Sequence, residues 1–148
     1  MKKSLITILF ALIISVGMTT TLFAGGKPLA GKKLMISIKS PPVQLTGMGL
    51  AFAISAQSKG AAVTVVLGAK PHKVASKNGG KDYFKAMNMT LNDMLKKFIS
   101  LGGKVYVCKM CTKNSGLTQK DMVKGAQIVT SIKIWEKLYE PGMKNMDF

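Results

Sequence analysis

The chain has 148 residues, 22 Lys and no Arg, 6 Asp or Glu, and a formal net charge of +16, a length that allows one domain plus a short leader. Without Arg there can be no bidentate guanidinium fork, the usual means of recognising phosphates and guanine edges, so no nucleic-acid partner is expected. The six carboxylates are too scattered for an acid–base pair, and the sequence has neither a phosphate loop nor a Ser-centred elbow.

Residues 1–24 have the order of a cleavable export signal. Lys2 and Lys3 form a basic start, Leu5 to Val16 is apolar apart from Thr7 and Ser15, and Leu22-Phe23-Ala24 leads into Gly25-Gly26. The apolar run is shorter than the roughly 20 residues of a membrane helix. We therefore expect the leader to be removed, leaving residues 25–148 as a single domain with no stable membrane span, periplasmic or secreted. A retained anchor is the alternative. No cysteine lies near the leader, so there is no point for lipid attachment. Without Lys2 and Lys3, 20 lysines face 6 acidic residues, a balance of +14. They are spread along the chain as on a solvated basic surface, and their summed field would also draw small anions.

Residues 25–33 read as a flexible lead-in. Leu34 to Lys39 (LMISIK) reads as a strand, ended by Ser40-Pro41-Pro42 because proline has no N–H to give a ladder. Leu45 to Lys59 reads as an Ala-rich helix with Leu50, Ala51, Ile54 and Ser58 on one face and Gly60 as its stop. Ala62 to Leu67 (AVTVVL) is a β-branched strand, so the first half is a βαβ unit with parallel pairing. Gly68 to Met89, rich in lysine and interrupted by Gly79-Gly80, reads as a long loop. Thr90 caps a helix in which Leu91, Met94, Leu95, Phe98 and Ile99 recur at helical spacing, closed by Gly102-Gly103. Lys104 to Cys108 (KVYVC) is the next strand. A short helix is predicted over 117–124, started by Thr118 with Asp121. There follow a strand near 127–130, a helix with Ile132, Trp135 and Tyr139 on one face, a Pro141-Gly142 turn and a last strand within 144–148. The alternation predicts a three-layer α/β/α sandwich with a mostly parallel sheet of about five strands. Ligands of such sheets bind beyond the carboxyl ends of the strands, which is where Cys108 falls.

Cys108 and Cys111 are the two cysteines, in the pattern Cys-Lys-Met-Cys. A bridge between them would close too small a loop to stabilise the fold much, so the spacing points to reactivity or to a metal. Cys111 reads as lying in the loop after the strand. Lys109 and Lys113 make that loop electropositive, and the helix from Thr118 would aim its amino end at it; both effects favour the nucleophilic thiolate. A thioredoxin-type motif should follow an early strand and open a helix, usually after a Trp, whereas this pair comes two-thirds along the chain and Trp135 lies downstream. Two readings remain beside a reactive thiol: a module binding a small molecule or a soft metal such as Cu(I) between the two sulfurs and Met110, and an inert thiol pair in a structural subunit. A closed zinc site needs four ligands, and only His72, read as a surface loop residue, could add an imidazole.

Val105 to Gly116 (VYVCKMCTKNSG) resembles the reactive-cysteine segment of the DsrE/DsrF/TusD family, whose active cysteine ends a strand eight positions before a Gly, as Cys108 does before Gly116. AVTVVLG and the elements before it resemble the family's opening half, and Ala126 to Ser131, the Trp135 helix and Asp147-Phe148 resemble its close. Asn114 and Ser115 stand where TusD-like members carry Arg. The resemblance implies a DsrE-like fold and a sulfur carrier more than a turnover enzyme. It implies sulfane sulfur held as a persulfide on Cys108, with Cys111 assisting or resolving it, and no cofactor. As partners it implies sulfur donor and acceptor proteins or small sulfur anions such as thiosulfate, sulfite or polysulfide, together with self-association into trimers or hexamers.

Overall fold

In the computed structural model, which describes residues 26–148, the chain runs β1 (Lys33–Ile38), α1 (Val43–Ser58), β2 (Ala62–Leu67), a short hairpin of β3 (Tyr83–Phe84) and β4 (Met89–Thr90), α2 (Leu91–Ser100), β5 (Lys104–Cys108), α3 (Lys109–Asn114), β6 (Ala126–Val129), α4 (Ser131–Leu138) and β7 (Met143–Asp147). The expected leader, residues 1–24, lies outside the described residues. β1, β2, β5, β6 and β7 form one sheet in the order β6-β5-β2-β1-β7, every pair parallel. With helices on both faces this is the expected three-layer α/β/α sandwich of five strands.

Strand alternation decides what each face buries. Ile36 and Ile38 of β1, Val63, Val65 and Leu67 of β2, and Val105 and Val107 of β5 point to one side, where α1 and α2 cover them. There Leu50, Ala53 and Ile54 meet Met94, Leu95 and Phe98 in the main core. The buried side of α1 also carries Gly47 and Gly49, and a Cβ at Gly49 would come within 2.8 Å of Ile38, so small residues set how closely that helix lies on the sheet. The intervening positions Met35, Val66 and Tyr106 point the other way and pack under Ile134 and Leu138 of α4 and Met143. That second core is small, and α4 buries none of its own residues fully.

Three local expectations are corrected and a fourth is borne out. The lead-in is tied down, since the Leu29 N–H donates to the Lys59 carbonyl at 3.0 Å. The segment 68–89 is not a bare loop: it holds a 3₁₀ helix (Lys70–Ala75) and the β3–β4 hairpin. Buried Asn92 of α2 clamps it by donating to the Val74 and Ser76 carbonyls at 2.7 and 3.0 Å. The helix expected over 117–124 is a single 3₁₀ turn, Gln119–Asp121, although Thr118 and Asp121 do form its capping box. Beyond that turn the chain is extended and pairs with the 75–77 segment, Lys77 N–H donating to Asp121 and Val123 N–H to Ala75, and this pairing replaces helical bonds. The short helix lies earlier, at α3. Finally, Ile132, Trp135 and Tyr139 do share a face of α4, and it is the exposed one, with Trp135 and Tyr139 stacked 6.1 Å apart.

Candidate functional site

Both cysteines sit at the carboxyl edge of the sheet. Cys108 is the last residue of β5, where it pairs with Val129 of β6, and alternation with Tyr106 turns it toward the α4 side. Cys111 is not in a loop. It lies in the first turn of α3, which follows β5 without a break and ends at Gly116, whose positive φ of 66° suits glycine. Cys108 is the N-cap of this helix: its Sγ accepts the Cys111 backbone N–H at 3.3 Å. The two Cα atoms are 5.2 Å apart and the sulfurs are joined as a disulfide. The amino end that addresses the sulfur is thus that of α3 itself, not of a helix starting near Thr118.

Hollows open beside the pair. One of about 290 Å³ holds Cys108 with Met110, Val129 and Ile134, an apolar wall rimmed by Lys109 and Lys113. Another, of about 320 Å³, holds Cys111 with Lys70, His72, Lys73, Asn114 and Ser115. A wider hollow runs from Lys109 and Lys113 along Leu117 to Ile128.

His72 is the residue the sequence placed wrongly. It is 4 % exposed, with one ring nitrogen, Nδ1, bonded to the Ala69 carbonyl and the other, Nε2, 2.9 Å from Ser115 Oγ. A carbonyl only accepts, so Nδ1 is the donor, and in the neutral ring Nε2 accepts from the Ser115 hydroxyl. His72 therefore ties the segment after β2 to the end of α3. Ala69, which it holds, has φ +44°, a strained conformation for a residue with a Cβ. With both nitrogens engaged, His72 is not a free imidazole for a metal. Among the described residues no three of His, Cys, Asp and Glu are grouped to hold a metal ion. Met110, between the cysteines, is 74 % exposed.

The DsrE/DsrF-like family model matches residues 32–142, which takes in every strand except the last, the cysteine pair and α4. The chain belongs to the DsrE/DsrF-like family. No curated protein matches it in sequence. Among solved structures it is similar to the ychN protein of E. coli, with TM-score 0.67 and 15 % identity over 79 % of this chain and 98 % of that one. It is also similar to MTH1491 of Methanobacterium thermoautotrophicum (TM-score 0.59, 10 % identity, 79 % and 99 % covered) and to BT1422 of Bacteroides thetaiotaomicron (0.60, 15 %, 79 % and 95 %). These three likenesses are of fold. DsrE family membership suggests a function of the sulfur-relay type. Among the described residues of this DsrE-family chain, no helix is long and apolar enough to cross a membrane.

Proposed function

We propose that this protein is an exported sulfur carrier that holds sulfane sulfur as a persulfide on Cys108, with Cys111 as the resolving thiol. The observation that carries the reading is the placement of Cys108: a strand-end cysteine on the rim of a family-matched sheet, within bonding reach of a second cysteine one helical turn on. The strand fixes its backbone, and a sulfur handed between molecules must be held in one place. The backbone N–H on Sγ favours the thiolate, and Lys109 and Lys113 beside it favour both the thiolate and anionic donors. Export with removal of the leader is read from residues 1–24, and amino-terminal sequencing of exported protein that begins at Met1 would reject that removal. The carrier acts as a homo-oligomer.

Intact-mass analysis tests the chemistry. Reduced protein incubated with polysulfide should gain mass in steps of one sulfur, and the gain should vanish on treatment with a thiol reductant. Bound copper without added sulfur would favour the soft-metal reading, and no change at all would leave an inert thiol pair.

A further inference from the structure

The disulfide makes its two sulfurs unequal. Cys108 Sγ accepts the Cys111 N–H, and no hydrogen bond to Cys111 Sγ is found among the described residues. Donation to a sulfur stabilises its thiolate, so when the bridge is opened Cys108 is the better leaving group and an incoming nucleophile is directed to Cys111. The surroundings differ in the polarity of their walls. Cys108 faces the hollow walled by Met110, Val129 and Ile134, with Lys109 and Lys113 at its rim. Cys111 faces the polar hollow, where Lys70 and Lys73 supply positive charge and the His72–Ser115 bond holds the wall against α3. Lysines stand by both sulfurs, so the hydrogen bond on Cys108 Sγ sets the favoured point of attack, and Lys70 and Lys73 give an anion access to it.

We propose that hydrosulfide enters the hollow at Cys111 and opens the Cys108–Cys111 disulfide, so that the carrier proposed above makes its own sulfane sulfur from sulfide. An electron pair of HS⁻ forms a bond to Cys111 Sγ. The bond between the cysteines breaks and its pair leaves on Cys108 as a thiolate, while the proton stays on the terminal sulfur of Cys111–S–SH. The oxidising equivalents of the disulfide pass to the incoming sulfur, and no other oxidant is needed. The Cys108 thiolate then attacks that terminal sulfur, giving Cys108–S–SH and a Cys111 thiolate. Atoms and charge balance in both steps.

The sequence makes the test direct, because Lys109 lies between the cysteines and trypsin separates Val105–Lys109 from Met110–Lys113 once the bridge is open. The oxidised full chain is treated with hydrosulfide or with sulfite, alkylated and digested. Sulfite gives an S-sulfonate with no sulfur to pass on, so its adduct marks the point of attack. We expect the sulfonate on Met110–Lys113, and with hydrosulfide one extra sulfur on Val105–Lys109. A sulfonate on Val105–Lys109 overturns the direction of attack, and no adduct from either anion overturns the inference. Polysulfide loading of the reduced protein then shows separately whether the carrier reading stands. The double variant Lys70→Gln, Lys73→Gln should slow opening by sulfite about threefold more than opening by uncharged 2-mercaptoethanol at low salt. Equal slowing of the two would overturn the role given to the cationic wall.

Discussion

Cys108 and Cys111 differ by position more than by chemistry. Cys108 ends a sheet strand and is paired with Val129 of β6, while Cys111 is held by a six-residue helix. Persulfide loading should therefore depend on them unequally. Cys108→Ser should abolish loading by polysulfide. Cys111→Ser should still take up sulfur on Cys108 but release it more slowly to a thiol acceptor and lose it more readily to oxidation, as followed by intact mass over time. The reverse pattern would exchange the two roles. His72 was not legible as part of this site, because a lone His between Pro71 and Lys73 carries no periodic signal. Only the fold shows that the 3₁₀ helix turns it inward to meet Ser115, 43 residues on.

At the scale of elements, the regular pieces were readable and the compensated ones were not. β2 and β5 have the bounds their β-branched runs predict, and α2 begins at the cap its sequence names. Thr90 Oγ1 accepts the Asp93 N–H at 3.1 Å, and α2 supplies Met94, Leu95 and Phe98 to the main core. Thr90→Ala should lower the unfolding free energy by about 1 kcal/mol in urea titration, with Thr90→Ser close to wild type. α3 escaped notice because KMCTKN has no apolar stripe, and 117–124 misled because its genuine capping box opens a single turn that strand-like pairing then ends. α4 is fastened at its end by charge. Glu140 is bonded to Lys137 and, at 2.6 Å, to Lys33 at the start of β1. Those two ammonium groups, Lys137 first, lower its pKa from 4.5 to about 2. A depressed carboxylate stabilises the fold above its ordinary pKa and loses that contribution as pH falls from 4.5 through about 2. Glu140→Gln should thus be less stable than wild type at pH 7, by a small amount since the pair is solvent-facing, and the gap in urea midpoint should close across that acid window. A gap that stays constant with pH would show that shape and not charge is at work.

For the whole molecule, charge and apolar surface pull in opposite directions. A lysine excess of +14 over residues 25–148 opposes contact between copies. Against it stand two exposed apolar faces: Ile132, Trp135 and Tyr139 on α4, and Leu45 with Phe52 on α1, where Phe52 packs on Phe148 at 5.6 Å. Contiguous apolar surface of this kind marks contact sites, and α4 in particular covers only a small core beneath it while presenting its aromatic side outward. If apolar contact drives assembly and charge resists it, screening should tell them apart. Raising ionic strength from about 0.01 M to about 0.15 M shortens the Debye length from about 30 Å to about 8 Å, which weakens the repulsion and leaves the apolar term in place. Light scattering at micromolar concentration should then show a mass above that of one chain, rising with salt over that range. Trp135 is the only tryptophan and is 54 % exposed in the single chain, so its emission reports on the α4 face. If α4 is the covered face, emission should shift to the red on dilution as the mass falls, and Trp135→Glu should leave single chains at all salt concentrations. Association with no change in Trp135 emission would move the interface to Leu45 and Phe52, where Phe52→Glu should then break it. A single-chain mass at every concentration and salt would remove self-association altogether.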